Sequence, residues 1–396
     1  MPFFQSKKEQ KVLVSTVVFA IAGFLGIDIH LASLPAIMQF MHTDKVHMQQ
    51  SISLYLLGMG VSMLFYGPLS DKHGRRPVIL FGLILGSLAS FVCMFAYTIH
   101  QFLVLRLLQG LGCGVCLGLG RTVLGDVLQG ERFAIVGSRL GSAGALVPLF
   151  APAVGGYLQH LVGWQANFFA LGCYILIAAI IYGIFCPETH EHKNPHAFKL
   201  RILFGHYGEI LSHRVFVITA ILSGVGASIT MIYATLSPFI FQVGFHLSPV
   251  VYGWIISALS ISSLISRFLV SPMIRKFGRP RHLEHCVFAF LLTSLLFTVF
   301  DFTGMLVLIS FIALSAMSIF CRTAVASVFS SYAMDVFPSK RGVSGSLYGS
   351  SRMLISFAIS GVVGLFSSDG LVVLVISYLV IACALLIFTK MLIKNL

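Results

Sequence analysis

The sequence predicts an all-α integral membrane protein with twelve transmembrane helices in two pseudo-symmetric six-helix bundles. Three observations lead there. Apolar runs of about 20 residues, the length that crosses a bilayer core, recur from Val12 almost to the C-terminus. Basic residues fall almost entirely on one side of the topology these runs imply. Short landmarks of the first half return about 200 residues later in the second.

Composition comes first. The 396 residues have a mean hydropathy of +0.95, with 57% hydrophobic and only 10% charged residues. A soluble domain carries about 25% charge, and only helices or closed barrels satisfy their backbone inside lipid. The runs are continuous rather than alternating, which selects helices over a barrel. Lys7, Lys8 and Lys11 precede an apolar run of about 25 residues, too long for a signal-peptide core and read as the first span.

The spans are expected at residues 12–38, 48–69, 77–98, 101–125, 133–160 and 165–186, then 215–241, 249–274, 283–300, 304–333, 343–367 and 371–392. Residues 187–214 form the longest and most polar connection. They divide the chain six plus six and read as a cytoplasmic linker between bundles 1–186 and 215–396. With the N-terminus inside, twenty of the 26 Lys and Arg residues lie in inside loops and helix ends, and only Lys45 lies outside. The positive-inside rule therefore places both termini in the cytoplasm. A formal charge of +13 would suit nucleic acid, but its placement serves topology, so a nucleic-acid partner is not expected. The partners expected are a bilayer, protons and a small molecule, for a chain acting as a monomer.

The repeat rests on three matches. Pro68, Gly74 and Arg75 reappear as Pro272, Gly278 and Arg279. Leu34-Pro35 is mirrored by Ser237-Pro238, and Arg121-Thr122 by Arg322-Thr323. Related halves imply a binding site between them at the membrane midplane. The stretch from Gly67 to Pro77 holds Asp71, Lys72, His73, Arg75 and Arg76, with two glycines and two prolines. It reads as a short aqueous loop between the second and third spans.

With these landmarks in order, the chain resembles the major facilitator superfamily along nearly its whole length. Residues 67–77 are similar to that family's cytoplasmic signature, and Arg106-Leu-Leu-Gln-Gly110 to its fourth-helix motif. Pro148 with Ala151-Pro152-Ala-Val-Gly155-Gly156 resembles the antiporter motif of the fifth helix, with Ala-Pro in place of Gly-Pro. Trp164-Gln-Ala-Asn-Phe168 and Pro187-Glu188-Thr189 resemble its sixth-helix landmarks. Within the superfamily the chain is most similar to the bicyclomycin-resistance (Bcr/CflA) drug–proton antiporters, on Asp28-Ile-His30 ahead of Leu34-Pro35 and on Arg121 and Asp126. His30 stands where that group has Tyr. The resemblance implies the superfamily fold and proton-driven alternating access, most often as efflux. An anionic metabolite such as a polycarboxylate siderophore is the alternative cargo.

Asp28 is the sharpest single residue. Among 13 acidic residues it alone falls near the middle of a span. A carboxylate there is costly unless it faces a cavity or a partner. It is read as a proton-coupling and substrate-binding residue; the alternative is a structural ion pair with a bundle arginine. His30 lies about 200° around a continuous helix from Asp28 and is either a second titrating group or a packed side chain.

Five arginines are placed within spans: Arg106, Arg121, Arg267, Arg322 and Arg352. Arg121, Arg322 and Arg352 are candidate substrate ligands, since guanidinium groups recognise carboxylates. Their alternative is snorkelling to phosphates or backbone carbonyls. Arg121 could also pair with Asp126 or Glu131. Arg106 is assigned to gating or carboxylate pairing. Asp71, Arg75 and Arg76 are the candidate inner latch, with Asp71 meeting the start of the eleventh helix or Arg139. Gly155 and Gly156 are the candidate flexible points of the fifth helix.

Other motifs carry less. Gly110, Gly114 and Gly118 suit close helix contact, and no strand or Lys-Ser/Thr accompanies them as a nucleotide loop requires. Cys113-Gly-Val-Cys116 lies mid-helix, without a redox-fold context. His190, His192 and His196 read as a solvated linker. No cofactor or metal is expected. An enzyme would need a nucleophile and base at fitting spacing, and a receptor a soluble signalling domain; neither is found in the sequence.

Overall fold

The computed structural model describes residues 7–128, 130–190, 193–195, 198, 200–337, 341–366 and 370–394. Its helices are α1 (Lys7–Asp28), α2 (Leu34–Phe40), α3 (Lys45–His73), α4 (Arg75–Cys93), α5 (Ile99–Val127), α6 (Gly130–Leu161) and α7 (Gln165–Phe185). These are followed by α8 (Leu200–Leu211), α9 (Arg214–Phe239), α10 (Pro249–Phe277), α11 (Arg279–Phe302), α12 (Leu308–Val336), α13 (Arg341–Gly364) and α14 (Gly370–Lys394). Among the described residues, eleven segments are long and apolar enough to cross a membrane, α1 and α2 together making the first. The twelfth is α13. Its hydropathy is lowered by Ser344, Ser346, Ser350, Ser356 and Ser360, all buried. These serines face protein rather than lipid, so a hydropathy threshold misses a helix that the alternation of basic loops requires.

Helices α1 and α3–α7 form one packed group and α9–α14 a second, with α10 and α13 of the second also packed extensively on the first. The two groups meet along two seams, α3 against α13 and α6 against α10. In the first seam Ser350 Oγ donates to the Gly60 carbonyl at 2.6 Å, and Ser53 and Ser360 hydroxyls lie 3.2 Å apart. Small residues let these backbones approach, as lipid-embedded packing demands.

Two expectations need revision. The 67–77 stretch is not an extended loop. Helix α3 continues to His73, Gly74 alone breaks the path at φ +104°, and α4 begins at Arg75. Gly278 repeats this at φ +80° between α10 and α11. Only glycine adopts that backbone without strain, so both halves turn on one residue. The connection 187–214 also contains structure: α8 is an amphipathic helix. Its Tyr207 hydroxyl donates to the Leu64 carbonyl of α3 at 2.7 Å, while Ile210 packs with Phe216 of the second group.

The first span is broken where the sequence promised a continuous helix. α1 stops at Asp28, a 3₁₀ turn covers Leu31–Ser33, and α2 restarts at Leu34. Pro35 has no N–H, and its ring would clash with the carbonyl four residues back. Backbone carbonyls are met from other helices, at Gly26 and Ala32 where the break frees them and at Gly23 just before it. The Tyr55 hydroxyl donates to Gly23 at 3.0 Å, Arg106 Nη1 to Gly26 at 3.2 Å, and Gln242 Nε2 to Ala32 at 3.0 Å. The ninth helix mirrors this, passing Pro238 into a π-turn at Ile240–Gly244.

Candidate functional site

The break in the first span places Asp28 at the end of α1, facing the second group of helices. Arg322 of α12 and Tyr252 of α10 lie within electrostatic reach of its carboxylate. Among the described residues no hydrogen bond or ion pair holds that carboxylate, and its oxygens are not sealed from the space between the groups. A charge at such a site can exchange partners, because none is locked to it.

Arg322 approaches from the opposite wall. One guanidinium nitrogen donates to Thr230 Oγ1 of α9, and Nε has no partner among the described residues. Tyr233, Tyr378 and Arg352 surround it. Arg352 Nε is likewise buried without a described partner, and Arg267 and Tyr348 stand near Arg352. Gly226 on α9 is buried, yet a Cβ there would meet nothing within 4 Å, so open space adjoins this wall. The wall is thus cationic and aromatic, and Asp28 is the carboxylate it faces. Thr230 and Tyr233 escaped the sequence reading. Their one-turn spacing on α9, opposite the arginine-bearing α12, is the signal that could have found them.

His30 does not join Asp28. Because the chain turns between them, its ring is buried among the first group, 5.5 Å from Phe168 and within reach of the Arg106 charge. Both ring nitrogens lack a partner among the described residues.

Arg106 is fully buried and pairs with no carboxylate among the described residues. It donates to the Gly26 and Ser51 carbonyls and to Gln109 Oε1, and stacks 4.4 Å over the Tyr55 ring. It therefore secures the break of the first span, which sequence spacing alone did not reveal. Arg121 is exposed, close to Tyr348 of α13. Its expected partner Asp126 is engaged elsewhere, and the Glu131 side chain lies outside the described residues.

Asp126 belongs to a tight cluster at the end of the molecule where basic residues gather. Arg75, 5% exposed, donates to Asp71 Oδ1 at 2.5 Å and to Asp126 Oδ2 at 3.0 Å. Thr189 Oγ1 adds a bond to Asp126 at 3.1 Å. Arg76 donates to the Gly183 carbonyl of α7. Glu188 accepts from the backbone N–H groups of Arg75, Arg76, Thr189 and His190. Partial burial raises its pKa, but these four donors outweigh that and hold it below the ordinary carboxylate value. The stability from this cap is present above the unfolded pKa and lost as pH falls through the lowered folded one. Arg279 and Asp335 form the matching pair in the second half. Asp71 is therefore bound within the first group. The expected partners, the Arg139 side chain and the first side chains of the eleventh span's helix (341–342), lie outside the described residues.

Truncating Arg75 strands two carboxylates. Arg75→Ala is expected to destabilise the fold by about 3 kcal/mol, read as a lowered thermal midpoint of the purified protein. Arg75→Lys, which keeps the charge but loses the planar fork, should fall between. An unchanged midpoint in Arg75→Ala would remove the cluster from this account.

At the opposite end the seam is shut. Within the first group, a Cβ on Gly155 would run into the Ile29 carbonyl at the break of the first span, which brings α6 close to it. One on Gly156 would strike Pro249, and one on Gly253 would strike Pro152. Asn167 Nδ2 donates to Ser33 Oγ at 2.6 Å and to the Gly155 carbonyl at 3.2 Å, and Trp254 Nε1 donates to the Tyr157 hydroxyl at 3.2 Å. Here Gly155 and Gly156 are points of close contact, and α6 is helical through both in this state.

Comparison with known proteins agrees with this geometry. The sequence profile of the Major Facilitator Superfamily matches residues 16–361. The multidrug resistance protein MdtL of Shewanella oneidensis is 27% identical over 354 residues, covering 89% of this chain and 88% of the relative. MdtL of Klebsiella pneumoniae is 25% identical over 368 residues, covering 91% of each. MdtL of Escherichia coli O9:H4 is 32% identical over 214 residues, 54% of each. Two solved structures share the fold. One is a partially occluded, inward-open form of the xylose transporter XylE from E. coli (TM-score 0.73, 12% identity, 98% of each chain). The other is the human organic anion transporter MFSD10 (TM-score 0.73, 17% identity, 98% of this chain and 100% of that one). With a profile that spans most of its length, and a fold in which each half turns on one glycine, Gly74 and Gly278, the chain belongs to the Major Facilitator Superfamily.

Proposed function

We propose that the protein is a drug-efflux transporter, exchanging protons for a small organic molecule by alternating access. The observation that carries this is Asp28: a carboxylate without a fixed partner at a helix break, facing Arg322 across the space between the halves. A carboxylate in that setting binds either a proton or a polar group of the cargo, and exclusive occupancy is what couples the two in an antiporter. Arg322 and Arg352, with Tyr233, Tyr252 and Tyr378, are the proposed cargo wall, and Arg121 the contact toward the basic end.

The bundles proposed are 1–186 and 215–396, joined by 187–214. The chain is placed in the bacterial inner membrane as a monomer with both termini cytoplasmic, since the basic end then faces inward. The MdtL relatives support drug efflux. The Bcr/CflA subgroup is proposed on Asp28, Leu34-Pro35, Arg121 and Asp126. The relatives do not favour a polycarboxylate metabolite as cargo. In this orientation the structure is closed outside, and Asp71, Arg75 and Arg76 are the proposed inner latch of the other state.

Proteoliposomes with an imposed pH gradient test the proposal. Drug-like cations and neutral drugs are expected to accumulate only when the gradient is present. Gradient-driven uptake of carboxylate siderophores but not of drugs would reverse the assignment of cargo.

A further inference from the structure

Beside the latch, at the basic end, lies a cleft of about 450 Å³ that no transport step uses. Lys7, Lys8 and Lys11 of α1, Arg76 of α4, and Ile184, Phe185, Cys186 and Pro187 at the end of α7 line it. No acidic residue is among them. The described carboxylates nearby are committed elsewhere. Glu9 pairs with Arg132 at 2.6 Å, Asp71 and Asp126 bind Arg75, and Glu188 faces backbone amides. Lys7 and Lys11, one helical turn apart, have no ion-pair partner among the described residues, and like charges at that spacing repel. Among the described residues that line it, the cleft therefore gathers four cations and no carboxylate.

Its floor is apolar and open. Ile184 is 70% exposed and continues a stripe with Ile177 and Ile180 along the outer face of α7. Cations thus meet an exposed apolar stripe at the boundary between the spanning helices and water. A free anion would use only the first of these features, whereas a phospholipid uses both. We infer that this cleft binds the headgroup of an anionic phospholipid, with its phosphate between Lys7, Lys11 and Arg76 and an acyl chain along Ile184, Ile180 and Ile177.

The test is lipid retention by the purified full-length protein, measured by native mass spectrometry with phosphatidylglycerol and phosphatidylcholine as probes. Phosphatidylglycerol should be retained in preference. Each lysine at an anionic headgroup is worth roughly fivefold in affinity. Lys7→Gln/Lys11→Gln should therefore lose about 25-fold of the phosphatidylglycerol affinity, with no change for phosphatidylcholine. Lys390→Gln/Lys394→Gln, on α14 at the same end of the molecule, should lose none. The thermal midpoint in phosphatidylcholine checks that the first variant is folded, and Lys11→Gln alone serves if it is not. Equal retention of the two lipids, or an undiminished affinity in the folded lysine variant, would overturn the inference. Displacement of the lipid by millimolar inorganic phosphate would also overturn it, marking a site for free anions.

Discussion

Asp28→Asn abolishes proton-driven accumulation while leaving the protein folded and inserted. The substitution is nearly isosteric, and no described hydrogen bond to the carboxylate is lost, so the fold has little reason to respond. What disappears is the ability to take up and release a proton. At one proton per substrate, each pH unit of gradient supports about tenfold accumulation. The wild type should approach that ratio and Asp28→Asn should stay at unity. Counterflow, in which labelled substrate exchanges for unlabelled without net driving force, should persist in the variant, because alternation itself does not need the carboxylate. The measurement is paired uptake and counterflow in the same proteoliposomes. Loss of both would point to a structural role for Asp28, and full concentrative uptake would exclude it from coupling.

The second large effect is expected at the outer seal. Gly156→Val places a branched side chain where the Pro249 carbonyl of the second group already sits. Backbone in the first turn of α10, fixed by Pro249, does not yield as a side-chain tip would. Overpacking of about 1–3 kcal/mol lowers the outside-closed population by roughly 5- to 150-fold. Transport should fall by a similar factor while the thermal midpoint changes little, since lipid-exposed packing elsewhere is untouched. A cysteine at Ala153, buried in the closed form beside Gly253 of α10, should then label with an impermeant reagent from the outer side. Full transport with Ala153→Cys still protected would show that α6 and α10 do not form the seal.

Much of this architecture was legible in the sequence. Gly74 and Gly278 marked the helix turns, and the asymmetry of basic residues counted twelve spans even though α13 is too serine-rich for a hydropathy threshold. Asp28 stood out because an acid in an apolar run demands a reason. The rest was hidden because it depends on partners distant in sequence. Pro35 alone does not announce that the first span unwinds; the break persists because Tyr55, Arg106 and Gln242 meet the carbonyls at and just before it. That turn in turn sends His30 away from Asp28, which a continuous helical wheel could only approximate. Arg106 and Arg75 were both visible as unusual cations. Spacing could not say that one holds carbonyls and the other two carboxylates 4 and 51 residues away. Helix α8 was read as linker because polar flanks masked a short amphipathic pattern.

The central claim is that a proton and the cargo compete for Asp28. Proton release on substrate binding tests it most directly, with purified protein in weakly buffered solution near neutral pH. The account predicts release of protons in proportion to bound substrate for the wild type and none for an Asp28→Asn variant that still binds. Binding without proton release in the wild type, or equal release from the variant, would contradict it.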